Sequence, residues 1–218
     1  MQINDLFGRA AAFETARLPD GTAAVLPAEH AAALYVNEQP AFRVVCTPEL
    51  LPQLALGRLL TEGWITSAQE VEQAAVCAEG LKVNVYLNHR LTARSAAAQA
   101  VSSCCTDNVT LSSPLELPPL RTVPQLELQP EWLDTLAAAM SAGLPLYRAT
   151  RAVHSCFVLR QGAILFACED IGDTTRWIRR WARCCCRASR WQNVCFIPAA
   201  GCPWTWCARP SGRAFRHW

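Results

Sequence analysis

Three short stretches of this chain hold residues able to do covalent or acid–base chemistry. The first is Ser102-Ser103-Cys104-Cys105-Thr106, between an Ala-rich segment and the β-prone Val109-Thr110-Leu111. A cysteine on a loop of small residues is open to attack partners, and positive surroundings lower its pKa toward the nucleophilic thiolate. Arg90, Arg94 or a helix N-terminus could supply that charge. The same vicinal pair also suits two small buried side chains. Adjacent cysteines lack the C-x-x-C spacing that lets two thiolates chelate one ion, so a metal role is the weaker reading. The second stretch is His154, ahead of a strand-like run, where an imidazole serves as base, ligand or plain structural donor. The third is Glu169-Asp170-Ile171-Gly172-Asp173, a strand end opening into a helix. Such a junction can hold the polar groups of a ligand, and Asp173 equally suits a helix N-cap. No P-loop, GxGxxG, HExxH or GxSxG pattern occurs.

The elements that must position these residues follow from patterning. AFRVVCT (41–47) reads as a strand, and Thr47, Pro48 and Glu49 then supply a cap, a first helical position and a favourable charge. Leu51, Leu54, Leu56, Leu59 and Leu60 give that helix a broad apolar face, with Gly63 as its stop and Pro52 confined to the first turn. LKVNVYLN (81–88) alternates like a half-buried strand. The five prolines of 113–130 mark a linker between an N-terminal α+β domain (1–112), which carries the cysteine loop, and the start of a C-terminal α/β domain (131–182). A helix over 131–142, with Trp132, Leu133, Leu136 and Met140 inward, stops at Gly143. HSCFVLR and AILFACED flank Gln161-Gly162 as a hairpin. The stretch 173–182 has helical spacing, with Trp177 and Trp181 on one face.

With 218 residues, 51% apolar and 17% charged, the chain falls in the range of one or two globular domains. No apolar run reaches the length that spans a bilayer, and early charges leave no secretory h-region. The expectation is a cytoplasmic protein whose six body cysteines are thiols. Residues 183–218 are different in kind: six Arg, six Cys and four Trp, with no Lys, Asp or Glu, and the last acidic residue of the chain is Asp173. The body alone holds 14 basic and 18 acidic residues, so the formal charge of +2 comes from the tail. Plausible codons for the Cys184-Cys185-Cys186 region, read from the third base, give leucine-rich text with amphipathic stretches and both charge signs. The tail is therefore read as out of frame, and its basicity supports no nucleic-acid partner.

Four blocks carry a family resemblance. YVNEQPAFRVVCTPELLPQLALGRLLTEGWITSAQEVE (35–72) resembles the opening signature of the formate dehydrogenase accessory sulfurtransferase family. VSSCC (101–105) falls at its Ser-Ser-Cys-Gly-x-Cys-Gly loop, TRAVHSCFVL (150–159) at its Gly-Gly-x-His step, and FACEDIGDTTRWIRRW (166–181) at its Glu-Asp-Val-Gly-Arg-His segment. The shifted frame of the tail continues the same pattern. The resemblance implies an α/β fold with a small N-terminal α+β part and a truncated cytidine-deaminase-like three-layer domain. It also implies a sulfur carrier that takes persulfide sulfur from a cysteine desulfurase. That sulfur goes to the molybdenum (or tungsten) bis-pterin guanine dinucleotide cofactor of formate dehydrogenase, a bound substrate and not a permanent group. Cys104 would bear the persulfide, with Cys105 the remaining loop thiol. His154, Glu169, Asp170 and Gly172 would face the cofactor. Neither nucleic acid nor membrane is an expected partner, and a homodimer is left open.

The departures are specific. Asp107 stands where the family has its second loop cysteine, Asp173-Thr174 where it has Arg-His, and Arg151-Ala152 where it has Gly-Gly. An acid in place of a cation weakens attraction for a phosphate-rich cofactor. Whether the chain is catalytic stays open: a docking chaperone without thiol chemistry and an inactive truncated product are the alternative readings. A second domain cut short after its hairpin and one helix would also expose a long apolar sheet edge.

Overall fold

Strands dominate, because most of the apolar residues alternate with polar ones or form short β-branched runs. The computed structural model describes residues 1–8, 12–61, 64–90, 99–101, 129–172, 194–199 and 206–207, with 99–101 and the last two segments as backbone alone. The cysteine loop, most of the proline-rich stretch and the helix expected over 173–182 lie outside these residues. In chain order the strands are β1 (Gln2–Asp5), β2 (Phe13–Arg17), β3 (Ala23–Pro27), β4 (His30–Val36) and β5 (Gln39–Cys46). Helix α1 (Leu51–Thr61) follows, then β6 (Val71–Val76), β7 (Lys82–Leu87) and β8 (Gln99–Val101). Beyond these come α2 (Pro130–Ala142), α3 (Pro145–Thr150), β9 (His154–Arg160), β10 (Ala163–Asp170), β11 (Val194–Ala199) and β12 (Trp206–Cys207).

A mixed six-stranded sheet runs β1-β6-β7-β4-β5-β8, a four-stranded sheet runs β10-β9-β11-β12, and β2 and β3 pair by themselves. The fold class is thus mixed α/β, as expected. Among the described residues no helix is long and apolar enough to cross a membrane.

Helix α1 holds the main core. Leu51, Leu54, Ala55, Leu56, Leu59 and Leu60 are all buried and pack with residues of β4, β5, β6 and β7. A helix buried on nearly every side must lie between layers. The other layer is β9 and β10: Val158 belongs to the same core, and Phe166 packs against it. The helix starts later than its expected cap. Leu50 takes a left-handed φ of 51°, and the chain bends through 47–50 before Leu51. The proline at 52 dictates this, since Pro fits the first turn but would break an interior one. The cap residue Thr47 is put to another use, described below.

The β9–β10 hairpin turns on Gln161-Gly162 as expected, both with positive φ (51° and 80°), the backbone that matches strand twist. Glycine at 162 is also a packing requirement, because a Cβ there would lie 2.6 Å from Trp132 Cδ1. The indole is seated on the turn and helps dock α2. Leu136 is buried against Phe157 and Leu159, with Met140 alongside. Leu133 was expected to face inward; it is 48% exposed. Only one layer covers α2, and Trp132, Leu136 and Met140 already fill that stripe at four-residue spacing.

A bulge between Ile164 and Phe166 gives the hairpin its two faces. It brings Ile164 and Ala167 to the α2 side, while Phe166, Cys168 and Asp170 share the α1 side. Beyond the described break, the tail does more than expected. β11 pairs along β9 from Val194↔Arg160 to Ala199↔Ser155, and β12 pairs with β11. The edge expected to stand open is covered. Main-chain hydrogen bonding asks only for an extended, β-prone segment, which Val194-Cys195-Phe196-Ile197 provides.

Candidate functional site

The chemistry of the hairpin is built from its register. β9 and β10 place His154 opposite Asp170, Ser155 opposite Glu169 and Cys156 opposite Cys168. Because side chains alternate, His154, Cys156, Cys168 and Asp170 lie on the face toward α1, and Ser155 and Glu169 on the face toward α3.

Asp170 is fully buried. Its Oδ1 accepts a hydrogen bond from the backbone N–H of Thr47 at 3.3 Å and another from Gly172 N–H at 2.9 Å. The second bond is an Asx turn that bends the chain out of β10. Ile171 N–H in turn donates to Thr47 Oγ1 at 3.2 Å. Thr47 follows β5 directly, so one carboxylate and one hydroxyl fasten the end of β10 to the β5–α1 corner across more than a hundred residues of chain. A carboxylate accepting backbone N–H bonds in a dry site makes stronger bonds than a neutral acceptor would.

Glu169 caps α3. That helix begins at Pro145 with Leu144 as its N-cap and no side-chain cap of its own. Leu146 N–H donates to Glu169 Oε2 at 2.8 Å and Tyr147 N–H to Oε1 at 2.6 Å. These donors are among those a helix start leaves without partners. Burial nevertheless holds the Glu169 carboxyl above the usual glutamate range. The backbone bonds from Leu146 and Tyr147 and the Ser155 hydroxyl pull it down, and the nearby negative charge of Glu49 pushes it further up.

The four expected cofactor-facing residues in the described part therefore come together at one end of the second sheet. Two of them, Glu169 and Asp170, are committed to backbone donors of α3 and of the 47–50 corner. Gly172 is buried and closes the Asx turn, and His154 is half-buried opposite Asp170. Cys104 and Cys105 lie outside the described residues. Among the described residues no group of three His, Cys, Asp or Glu side chains could hold a metal ion.

Sequence reasoning missed two buried polar residues. Thr47 was read as a helix cap, and nothing local signals its partner at Asp170. Arg58 is 2% exposed within α1, its guanidinium 5.6 Å from the centre of the Phe42 ring. Its signal was present: one cation in the middle of LALGRLL has no exposed face to occupy when the helix is apolar all round.

The scaffold is an N-terminal mixed sheet, a buried helix and a latched hairpin. A model of the FdhD/NarQ family matches residues 27–173. The chain belongs to the FdhD/NarQ family. It is similar to the sulfur carrier protein FdhD of Listeria monocytogenes serotype 4b (strain F2365), at 26% identity over 149 residues. That match covers 66% of this chain and 57% of the relative. The sulfur carrier protein FdhD of Listeria innocua is 25% identical over 149 residues. The chain thus spans 57% of the length of these relatives. Its fold is similar to that of a crystal structure from Desulfotalea psychrophila, of a protein proposed as a formate dehydrogenase accessory protein. There the TM-score is 0.59 and the identity 19%, over 86% of this chain and 72% of the other.

Two outcomes follow from this geometry. Asp170→Ala strands two buried N–H groups, at about 1–3 kcal/mol per group, and Thr47→Val strands one that is only half-buried. Urea unfolding should therefore rank Asp170→Ala as more destabilising than Thr47→Val, and equal midpoints would refute the latch. Glu169, with its folded pKa raised, contributes stability that is fully present below its unfolded pKa and lost as pH rises through the folded value. Carbon-13 NMR of the Glu169 carboxyl should show a midpoint above that of an ordinary glutamate, and Glu49→Gln should lower it. A midpoint that ignores Glu49→Gln would mean that the two carboxylates do not interact.

Proposed function

We propose that this protein is a sulfur carrier of formate dehydrogenase maturation, with Cys104 as the carrier thiol. Its thiolate attacks the outer sulfur of a desulfurase persulfide, forming Cys104-S-SH and leaving the donor as a thiolate. The sulfur is then passed to the bis-pterin guanine dinucleotide cofactor of molybdenum (or tungsten), which is the substrate. The observation that carries this reading is the family match over 27–173, which spans the cysteine loop and both halves of the latch. The names of the Listeria relatives, sulfur carrier proteins, agree with it.

In this reading Glu169, Asp170 and Gly172 are positioning residues. Asp170 is fully buried and Glu169 is turned into α3, so they fix the sheet end at His154, which is half-buried and left to meet the substrate. The second layer is then the start of a cytidine-deaminase-type sandwich. Asp107, in place of a second loop cysteine, leaves a docking chaperone as the competing reading.

The test is a mass measurement. Incubation with a cysteine desulfurase and cysteine should add one sulfur atom, about 32 Da, and Cys104→Ala should abolish the gain. Label that persists in the variant moves the carrier to another thiol, and no label in either protein favours the docking role.

The frame change belongs to the same proposal. The family match stops at residue 173, the position of the last acidic residue. Resequencing the DNA downstream of the Glu169 codon should show one base gained or lost after about the codon for residue 182. An intact frame through Trp218 would make the tail a genuine part of this chain.

A further inference from the structure

We propose that Cys156 and Cys168 form a redox-active pair: a dithiol that a low-molecular-weight disulfide converts into a cross-strand disulfide pinning the β9–β10 hairpin. The observation is one of register. The two cysteines are direct partners across antiparallel strands, two positions from the turn-out at Asp170. Opposed residues in antiparallel strands have Cα atoms about 4.5–5.5 Å apart, and disulfides need about 4.4–6.8 Å. Both side chains lie on the same face, because they alternate in step with Val158 and Phe166, which pack toward α1. The pair therefore meets the separation requirement without any movement of the backbone.

Access is asymmetric in a way that assigns the two roles. Cys156 is fully buried in β9, an inner strand with β10 on one side and β11 on the other. Cys168 is 9% exposed and sits on β10, the outer strand of its sheet. Outer strands open locally at the lowest cost. Cys168 is thus the attacking thiol. Its thiolate displaces one thiol from the small disulfide, giving a mixed disulfide at Cys168. The Cys156 thiolate then attacks Cys168 Sγ, the second small thiol leaves, and the Cys156–Cys168 bond forms. Two protein thiols are oxidised and one small disulfide is reduced to two thiols. The protons of the two cysteines end on those leaving thiols.

The consequence lies in the latch. A covalent bond between residues 156 and 168 fixes the register two residues before His154 and Asp170 face each other. In the dithiol state that register rests on hydrogen bonds and packing alone. Oxidation would hold Asp170 opposite His154, and reduction would return that register to the ordinary stability of the hairpin.

The experiment is peptide mapping of the full chain. The purified protein is equilibrated in oxidised and reduced glutathione buffers of increasing oxidising poise, acid-quenched, alkylated while denatured, digested and examined by mass spectrometry. The expected result is a crosslinked peptide joining Cys156 to Cys168 that accumulates with oxidising poise and disappears on return to reducing buffer. In Cys156→Ala, where no second thiol can resolve it, Cys168 should instead accumulate glutathione. The wild-type map decides the matter even if that variant folds poorly. Alkylation of both thiols throughout the series would overturn the proposal. So would persistent glutathione on wild-type Cys168, or crosslinks from either cysteine to others in the chain.

Discussion

One buried carboxylate holds the two layers in register. Asp170 accepts backbone donors from two places that the chain separates widely, the corner after β5 and the turn after β10. Thr47 returns a bond to the same turn. The N–H groups of Thr47 and Gly172 are buried, where water cannot serve as an alternative partner. Removing the acceptor therefore costs the desolvation of the donors as well as the bonds themselves. Helix α1 leaves the corner that Thr47 ends, and α3 is capped by the residue before Asp170. The positions of α1 and α3 relative to the hairpin are consequently set by adjacent acids pointing in opposite directions.

That arrangement explains why the neighbouring acids have opposite duties. On a strand, successive side chains point to opposite faces, so Glu169 can reach α3 only if Asp170 reaches the α1 side. The bulge near Ile164 is what lets the rest of the hairpin agree with this. Without it Ile164 and Ala167, three apart, would fall on different faces and the α2 contact would lose one of them. The Asx turn, closed by the N–H of Gly172, then takes the chain out of the strand. The pattern Glu-Asp-x-Gly is thus a mechanical unit in this chain before it is anything else.

Much of this architecture was legible in the letters, and the failures have physical causes. The strands at 41–47 and 81–88, the helix at 131–142 and the Gln161-Gly162 turn all follow from local periodicity and from glycine's tolerance of positive φ. The start of α1 was displaced because Thr-Pro-Glu looks like a cap when its long-range partner is unknown, and Leu50 in a left-handed conformation is not a residue that suggests itself. Leu133 was assigned inward because periodicity gives the width of an apolar stripe but not the number of layers that cover it. The pairing of the tail with β9 was missed because backbone pairing on an open edge depends little on side-chain sense. The candidate site was legible as a set of residues, whereas the division of labour between Glu169 and Asp170 needed the register.

Arg58 places a buried charge in the interior of α1. A cation buried at 2% exposure is costly to desolvate, and stacking its guanidinium over Phe42 recovers only part of that cost. It lies in the last turn of α1, where the helix dipole favours positive charge. Dipole and ring together give the cation a defined position inside the layer that α1 forms between the two sheets. A methionine of similar length would fill the space and stack on the ring without any charge to satisfy. Arginine at 58 therefore brings a charge into this layer, and not volume alone.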